Sequence, residues 1–522
     1  MRLDYWNDPL VVSAYRVRFR GSGPSIVAGT YFLALVTTGG ILHHYLAADP
    51  NVSWVRVYFI VLISVEVVIT GLFAMMATWQ SMHAEVVNRT LDYQRIAAVA
   101  PRDILLGKLV GEPAQGYLMA LAGLPLLAWC WGMGAVSLEA LVLLVLQVFT
   151  TAILLGTLGL VHPLDTGGDK SKTSGRTIRN VALIIFGVYA MQMSIFMSLM
   201  GNHPLTQVPL GLLTPVFSIT AVAREMPEEY GLPFYSWRVP WLFLTPVTQL
   251  AVVAIVLHSI TRRLVSPVNV ALGKPIAYAI LAAIDVIVIG AMLDPRTFPP
   301  ALDMRVAAFC LAHVVASLLI VLTVTPNREC LRTWIWRLRG RQPWWKDALV
   351  GERSENFGAL VAFCLMGLAA GMLLIILPAG AQVAPVAVGE RVAFCLPLVG
   401  TMCLLILAVG SLYQLLVSIG TAGATIFVGL VATIVIVPHM AGAYLQIPEL
   451  MAASPSAQFT QWIAEVPPSL PLWPLVAVYG TILMVSQYVL RQRIKKSSAA
   501  VGRIIAGMLA EPVPAESVAS GA

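Results

Sequence analysis

Two carboxylic acids lie in the middle of long apolar stretches, where a carboxyl group could bind a proton. Glu66 stands between Ser-Val and Val-Val within residues 55–80, and Asp285 has a similar apolar setting within residues 275–294. A charge at the centre of a bilayer costs roughly 3 kcal/mol. Such a carboxyl is either a neutral, hydrogen-bonded packing contact or part of a pathway for protons or ions. The sequence leaves both interpretations open for both residues.

The motifs of other chemistries are missing. Leu106-Gly107-Lys108 is followed by leucine, where a phosphate-binding loop requires serine or threonine. The eight histidines contain no HExxH pattern, the six cysteines contain no CxxC pair, and there is no GxSxG elbow. We therefore predict that the chain is not an enzyme, that it has no catalytic residue, and that it binds neither a metal nor a cofactor.

The composition indicates a membrane protein. Of the 522 residues, 58% are hydrophobic and 11% are charged, whereas soluble domains are about a quarter charged. A spanning helix needs about 20 mostly apolar residues. This rule predicts an all-α, polytopic transmembrane bundle of about 12 spans in contact with membrane lipids. The predicted spans are 26–46, 55–80, 113–132, 138–162, 181–201, 240–260, 275–294, 304–325, 357–378, 392–411, 421–443 and 470–490.

The basic residues predict the orientation of these spans. With a cytoplasmic N-terminus, 27 of the 33 lysines and arginines fall on the cytoplasmic side, as the positive-inside rule requires. Both termini are then cytoplasmic, and residues 412–420 form an uncharged cytoplasmic turn. Residues 328–346 are predicted to lie at the lipid headgroups, with a solvated basic loop as the alternative, and the charge of residues 9–20 indicates the same location for them. Because this rule accounts for the net charge of +7, no nucleic-acid partner is predicted.

The order of the predicted spans repeats along the chain. Each half has two spans, a large cytoplasmic segment, three spans, an outside segment and one last span. Repeats of this kind are common in transporters. We predict a first six-span half over residues 1–268, a second six-span half over 269–496, and a disordered cytoplasmic tail over 497–522.

The predicted cytoplasmic segment 81–112 has more structure than a simple loop. Pro101 suits the first turn of a helix, and Asp103 is favourable at the positive end of that helix. Gly111-Glu112-Pro113 then interrupts the helix before the third span. The sequence therefore predicts a short helix, a break, a second helix and a kink into the membrane.

This segment resembles the membrane subunits of ABC transporters of the ABC-2, exporter-type class. Those subunits have, after their second span, an acidic residue, a Thr-Leu/Phe-Asp/Glu stretch and a Pro-x-x-Ile-Leu-Leu-Gly-Lys stretch. The matching residues are Glu85, Thr90-Leu91-Asp92, Pro101 and Ile104-Leu105-Leu106-Gly107-Lys108-Leu109. Asn88-Arg89 differ, because many members have Glu-Gly or Arg-Gly there. The resemblance covers about residues 1–265, so the first half is permease-like.

The resemblance implies a transmembrane permease subunit of an ATP-driven exporter in the plasma (inner) membrane, with an unidentified substrate. In such systems this segment docks in a groove of a separate ATP-binding cassette ATPase subunit, which binds the ATP. The functional unit is then one chain or a homodimer. The implied ATPase-coupling residues are Glu85, Thr90, Asp92, Arg95, Pro101, Arg102, Asp103 and Lys108. For the four basic and acidic residues Arg95, Arg102, Asp103 and Lys108, a solvated or headgroup-facing charge is the alternative interpretation.

Two other functions fit the same span count. One is an ion-coupled secondary transporter with Glu66 or Asp285 in its coupling site. The other is a membrane scaffold without transport activity. The helix–Pro–helix pattern of 85–112 and the long outside segment 202–239 favour the exporter.

Overall fold

The computed structural model describes most of the predicted spans. The described residues are 9–49, 52–96, 99–166, 214–223, 231–234, 237–265, 270–293, 302–326, 331, 334, 348–351, 354–376, 388–419 and 473–510. The chain divides into two compact units, Met1–Pro267 and Val268–Ala522. Each unit is described by itself below.

The first unit is a helical bundle with one small hairpin. A chain in lipid must satisfy its backbone hydrogen bonds internally, and its long apolar runs therefore form helices. The elements are α1 (Pro9–Arg18), α2 (Gly23–Leu46), α3 (Trp54–Val87), α4 (Thr90–Ile96), α5 (Pro101–Leu106), a π-helical turn (Gly107–Gly111), α6 (Ala114–Gly132), α7 (Leu138–Thr166), α8 (Val216–Ala223), β1 (Gly231–Phe234), β2 (Trp237–Pro240) and α9 (Trp241–Val265). The two strands are antiparallel, with Gly231 opposite Pro240.

The second unit is helical in all its described elements. They are α10 (Lys274–Met292), α11 (Leu302–Val324), α12 (Phe357–Ile376), α13 (Val388–Ile419) and α14 (Trp473–Ala510). Over the described parts of both units, nine helices are long and apolar enough to cross a membrane. The prediction of a polytopic, membrane-embedded helical bundle is thereby confirmed.

The span count of 12 stays a prediction. The predicted spans 181–201 and 421–443 lie outside the described residues. The predicted span 275–294 coincides with α10, which is not among the nine helices. The headgroup segment 328–346 also lies outside the described residues, except for Leu331 and Trp334.

Two sequence predictions differ from the structure in the second unit. The predicted turn at 412–420 is helical through Ile419, because α13 continues past residue 411. Gln414 in this stretch accepts from the Asn356 backbone at 3.3 Å, and Ser411 just before it accepts from Gln487 of α14 at 2.7 Å. The tail predicted as disordered is helical over residues 497–510, where α14 continues.

The most extensive helix–helix contact in the first unit joins α3 to α7. Small residues make it close: a Cβ atom added to Gly159 would lie 2.5 Å from both the Met75 carbonyl oxygen and the Thr78 hydroxyl. The Thr78 hydroxyl also donates to the Gly156 carbonyl at 2.8 Å. Small residues and interhelical hydrogen bonds replace the hydrophobic effect as the source of helix association in lipid.

A polar seam joins α7 to α9 and α8. The Gln147 amide donates to the Ser218 hydroxyl and to the Leu242 carbonyl, both at 2.9 Å. One turn further along α7, Thr150 donates to Gln249 at 2.5 Å, and Gln249 donates to Thr151 at 2.9 Å. This polar cluster is not apparent from the sequence, because the residues that bond to each other are about 70 to 100 positions apart.

The second unit buries a lysine at the start of α10. Lys274 is fully buried, and its ammonium group donates to the Ala348 carbonyl at 2.7 Å, the Ser354 hydroxyl at 2.6 Å and the Glu355 carbonyl at 3.0 Å. Burial raises the pKa of the Glu355 carboxyl above its ordinary value, and the positive charges of Arg491 and Lys274 oppose this shift. The lysine therefore fastens α10 to the segment that leads into α12.

Both units pack corresponding pairs of helices. We number the predicted spans of each half from 1 to 6. The same six pairs of spans are in contact in both units, namely 1–2, 1–3, 2–3, 2–4, 3–4 and 4–6. In the first unit these spans are α2, α3, α6, α7 and α9, and in the second they are α10 to α14. That the halves are true repeats stays a prediction, and this shared pattern of contacts supports it.

We expect Gly159→Ala to lower the stability of the purified protein by about 2 kcal/mol, because overpacking an interface pushes α3 and α7 apart. Gly40→Ala is the matched control, since a Cβ atom at Gly40 meets nothing within 4 Å. The measurement is the thermal unfolding midpoint of each variant in detergent. Equal midpoints for the two variants would contradict this account of the α3–α7 contact.

Candidate functional site

The chain leaves α3 through a left-handed residue. Asn88 ends the helix, and Arg89 has a φ of 58°. This left-handed conformation is unfavourable for any residue other than glycine. The Thr90 hydroxyl donates back to the Glu85 carbonyl at 3.3 Å. The turn thus directs α4 away from the line of α3, and Thr90 helps to close it.

The short helix α4 has an anchored side and an exposed side. Leu91 is buried in an apolar cluster with Met82 and Leu105. Tyr93 and Ile96 are 73% and 82% exposed, and Asp92 is exposed beside them. Arg95 belongs to α4, but its side chain lies outside the described residues. An apolar and aromatic surface on a helix this short is suited to contact another protein.

The second short helix begins where the sequence analysis predicts. Pro101 is at the first position of α5, and Ala100 before it is extended, as a residue before proline prefers to be. Ile104 is buried, whereas Arg102 and Asp103 contact each other at 3.2 Å near the surface. The prediction of a helix, a break and a second helix is confirmed in this segment.

The predicted break at Gly111-Glu112-Pro113 takes a different form. Residues 107–111 form a π-helical turn that continues α5, and Pro113 directly precedes α6. Gly111 allows α1 to approach, because a Cβ atom there would lie 2.6 Å from the Cβ atom of Ala14. The path from α5 into α6 is therefore helical, with its hydrogen-bond pattern changed rather than interrupted.

A network of charges joins α1, α3 and the π-helical turn. The Lys108 ammonium lies 2.6 Å from Glu85 Oε1 and 3.9 Å from Glu112 Oε1, and it also donates to the Ser81 hydroxyl. Ser81 donates to Glu112 Oε1 at 2.6 Å, and Arg18 of α1 donates to Glu112 Oε2 at 2.9 Å. The side chain of Lys108 is 9% exposed and that of Glu85 is 20% exposed. We call these five residues the Lys108 network.

A cavity of about 200 Å³ lies beside the Lys108 network. Two acceptor oxygens in its lining, Glu85 Oε2 and Gln94 Oε1, are buried and have no hydrogen-bond partner among the described residues. The cavity is lined by Ser13, Ala14, Val17, Arg18, Glu85, Gln94, Ile104, Gly107, Lys108 and Glu112. It is therefore a polar cleft that can accept hydrogen bonds from a donor group.

Of the eight predicted coupling residues, two belong to the Lys108 network, Glu85 and Lys108. Sequence reasoning missed their partners Ser81, Glu112 and Arg18. The i, i+4 spacing of Ser81 with Glu85 and of Lys108 with Glu112 was a usable signal. Arg18 carried none, because it is 94 residues from Glu112 in the chain.

The two carboxylic acids in apolar runs, Glu66 and Asp285, are not part of this network. Glu66 lies on α3 about 22 Å from Ser81, from the helical rise over 15 residues. Asp285 belongs to the second unit, where its Oδ1 atom is 2.7 Å from His313 Nδ1. His313 Nε2 is 3.1 Å from the Phe363 carbonyl. Since a carbonyl only accepts, Nε2 carries a hydrogen, and one further proton joins His313 to Asp285.

Sequence reasoning missed His313, because a single histidine in an apolar run has no recognisable partner. The Asp285–His313 pair links α10, α11 and α12 as a closed hydrogen-bonded contact, which favours the packing interpretation of Asp285. Among the described residues, no group of three or more His, Cys, Asp or Glu side chains could hold a metal ion.

We expect Lys108→Met to destabilise the protein by about 3 kcal/mol, because it leaves the largely buried Glu85 carboxylate without its counter-charge. Glu112 keeps its ion pair with Arg18. Arg102→Met is the matched control, since its partner Asp103 is at the surface and exposed pairs contribute about 0–1 kcal/mol. The measurement is again the unfolding midpoint in detergent. A Lys108→Met midpoint equal to that of Arg102→Met would show that the Lys108 network does not hold the segment in place.

Comparison with known proteins leaves the family open. No protein-family model matches the chain, and no curated protein and no solved structure matches it. The resemblance to ABC-2 membrane subunits therefore rests on the residues of segment 85–112.

Proposed function

We propose that the chain is the permease subunit of an ATP-driven exporter of the ABC-2 class, and that segment 85–112 docks onto a separate ATPase subunit. The observation that carries this proposal is the position and exposed surface of α4. This element is a short helix that projects from the end of a 34-residue apolar helix and exposes Tyr93 and Ile96. A helix placed in this way can enter a groove of a partner protein.

The conformation of Arg89 supports the resemblance. Asn88-Arg89 are the residues that differ from the ABC-2 pattern, in which a glycine stands at the second position. Arg89 has the left-handed φ of 58° that glycine adopts most readily. The local geometry at Arg89 is therefore the one that a glycine in related subunits would provide.

The polar cleft beside α4 supports a protein partner with basic side chains at its docking surface. Glu85 Oε2 and Gln94 Oε1 can accept hydrogen bonds from an arginine or a lysine of the ATPase. Asp92 adds a negative charge on the exposed side of α4. This complementarity would orient the ATPase on the segment.

The Lys108 network supports a mechanism for transmitting force. Binding and hydrolysis of ATP would take place on the partner subunit, and its movement would displace α4 and α5. Lys108 ties the π-helical turn to α3, and Arg18 ties Glu112 to α1. A displacement of the segment would therefore move α1, α3 and α6 together rather than bend a loop.

On this proposal, segment 81–112 and both termini face the cytosol, and the chain lies in the plasma (inner) membrane. This chain supplies no catalytic residue, since the nucleotide and its phosphate-binding loop belong to the ATPase. Two permease units are needed to form a pathway, either as the two halves of one chain or in a homodimer.

The test is site-specific photo-cross-linking in native membranes. Benzoylphenylalanine in place of Tyr93 is expected to give an adduct with a protein that azido-ATP labels. The same substitution at Tyr45 is the matched control, because Tyr45 is 75% exposed and ends α2, at the opposite end of the bundle from α4. It is expected to give no azido-ATP-labelled adduct.

The proposal fails if neither position gives an azido-ATP-labelled adduct or if both give the same one. Asp92→Arg in the Tyr93 cross-linking variant should reduce the adduct severalfold, since it reverses the charge offered to the partner. Glu139→Arg is the control for charge reversal at an exposed position on α7, and it should leave the adduct yield unchanged.

A further inference from the structure

A second polar site is buried between α2, α3 and α6. Glu66 and Thr70 of α3 are 1% and 0% exposed, and Tyr31 of α2 is 8% exposed. Tyr31 lies close enough to Glu66 for the two side chains to interact electrostatically. None of these residues takes part in the Lys108 network or in the proposed ATPase docking.

Gly123 of α6 makes room for the carboxyl group. A Cβ atom added to Gly123 would lie 1.8 Å from Glu66 Oε1 and 2.9 Å from Glu66 Cδ. The Glu66 carboxyl therefore occupies the volume that a side chain at residue 123 would take. Leu35 closes the same region, with its Cδ1 atom 3.5 Å from the added atom.

The polar atoms of this site lack partners. Both carboxyl oxygens of Glu66, the Tyr31 hydroxyl and the Thr70 hydroxyl are buried without a hydrogen-bond partner among the described residues. No ion pair of Glu66 is found in that part of the chain either. An ionised carboxylate in such a place has a large desolvation cost, which the neighbouring Tyr31 hydroxyl opposes only in part.

The titratable groups on the neighbouring helices do not change this conclusion. Tyr31 is the one that faces Glu66 from α2. On α6, Tyr117 donates to the Leu109 carbonyl at 2.9 Å, and Cys130 is next to Tyr58. On α7, Glu139 is exposed in the first turn. No described lysine, arginine or histidine on these helices contacts the Glu66 carboxyl.

We infer that Glu66 is an intramembrane proton-binding site, whose bound proton makes the carboxyl a neutral acid beside Tyr31 and against Gly123. A proton is the ligand that this geometry fits, because it needs no volume beyond the space that Gly123 leaves. The bound proton removes the charge and gives the carboxyl an O–H donor beside the Tyr31 hydroxyl, whose oxygen can accept it. This inference does not depend on ATPase docking.

The test is infrared spectroscopy of the full-length protein in lipid nanodiscs at neutral pH. A protonated carboxyl has a carbonyl stretch that is separate from the bands of an ionised carboxylate. We expect Glu66→Gln to remove one protonated-acid band and no carboxylate band. Glu85→Gln is the matched control, and it should remove carboxylate absorbance and leave the protonated-acid bands in place.

Tyr31→Phe gives a second infrared measurement, which does not depend on whether the Glu66→Gln variant folds. Loss of the facing hydroxyl should shift the carbonyl stretch of the acid without removing it. The inference is overturned if Glu66→Gln loses carboxylate absorbance. It is also overturned if Tyr31→Phe shifts no protonated-acid band. Either result leaves the cross-linking test of the ATPase proposal unaffected.

Discussion

The ion pair between Lys108 and Glu85 is the interaction on which the segment that follows α3 depends. The Lys108 ammonium lies between carboxylates that are themselves largely buried, and it is contributed by a π-helical turn rather than by a regular helix. Without it, the Glu85 carboxylate would be left largely buried with its ion pair lost. With it, the segment that follows α3 is fastened to α3 itself and, through Glu112 and Arg18, to α1.

This arrangement explains why the segment has a rigid base and an exposed tip. Leu91 and Leu105 pack into the same apolar cluster as Met82, so that the buried sides of α4 and α5 are both anchored to α3. Tyr93 and Ile96 remain exposed. A surface that is presented on a fixed base is suited to receive a force and pass it to the bundle, as the proposed docking of an ATPase requires.

Much of the fold could be predicted because lipid solvation imposes one dominant rule. Apolar runs of about 20 residues must be helices, and the helix start at Pro101 follows from the chemistry of proline. The error at residues 412–420 has a clear cause. Gln414 lies in the uncharged stretch predicted as a turn, but it accepts from the Asn356 backbone just before α12. Ser411, directly before that stretch, accepts from Gln487 of α14, and such pairings cannot be seen in a single sequence.

The candidate sites were only partly predictable for the same reason. Glu66 and Asp285 stand out as acids in apolar runs, yet their environments are opposite: Asp285 is paired with His313, whereas Glu66 lies against a glycine. Lys108 was predicted from its motif as a docking or orienting charge, and the structure places it in an internal ion pair. Arg18 and Glu112 are 94 residues apart, and no local pattern connects them.

Lys108 and Glu85 hold the segment through a direct, largely buried ion pair. The coupling energy of this pair can be measured by a double-mutant cycle of Lys108→Met and Glu85→Gln, with unfolding followed in detergent. We expect the two changes to be strongly non-additive, with a coupling of about 1 kcal/mol or more. Additivity within about 0.5 kcal/mol would show that the two residues contribute independently and that the ion pair does not hold the segment.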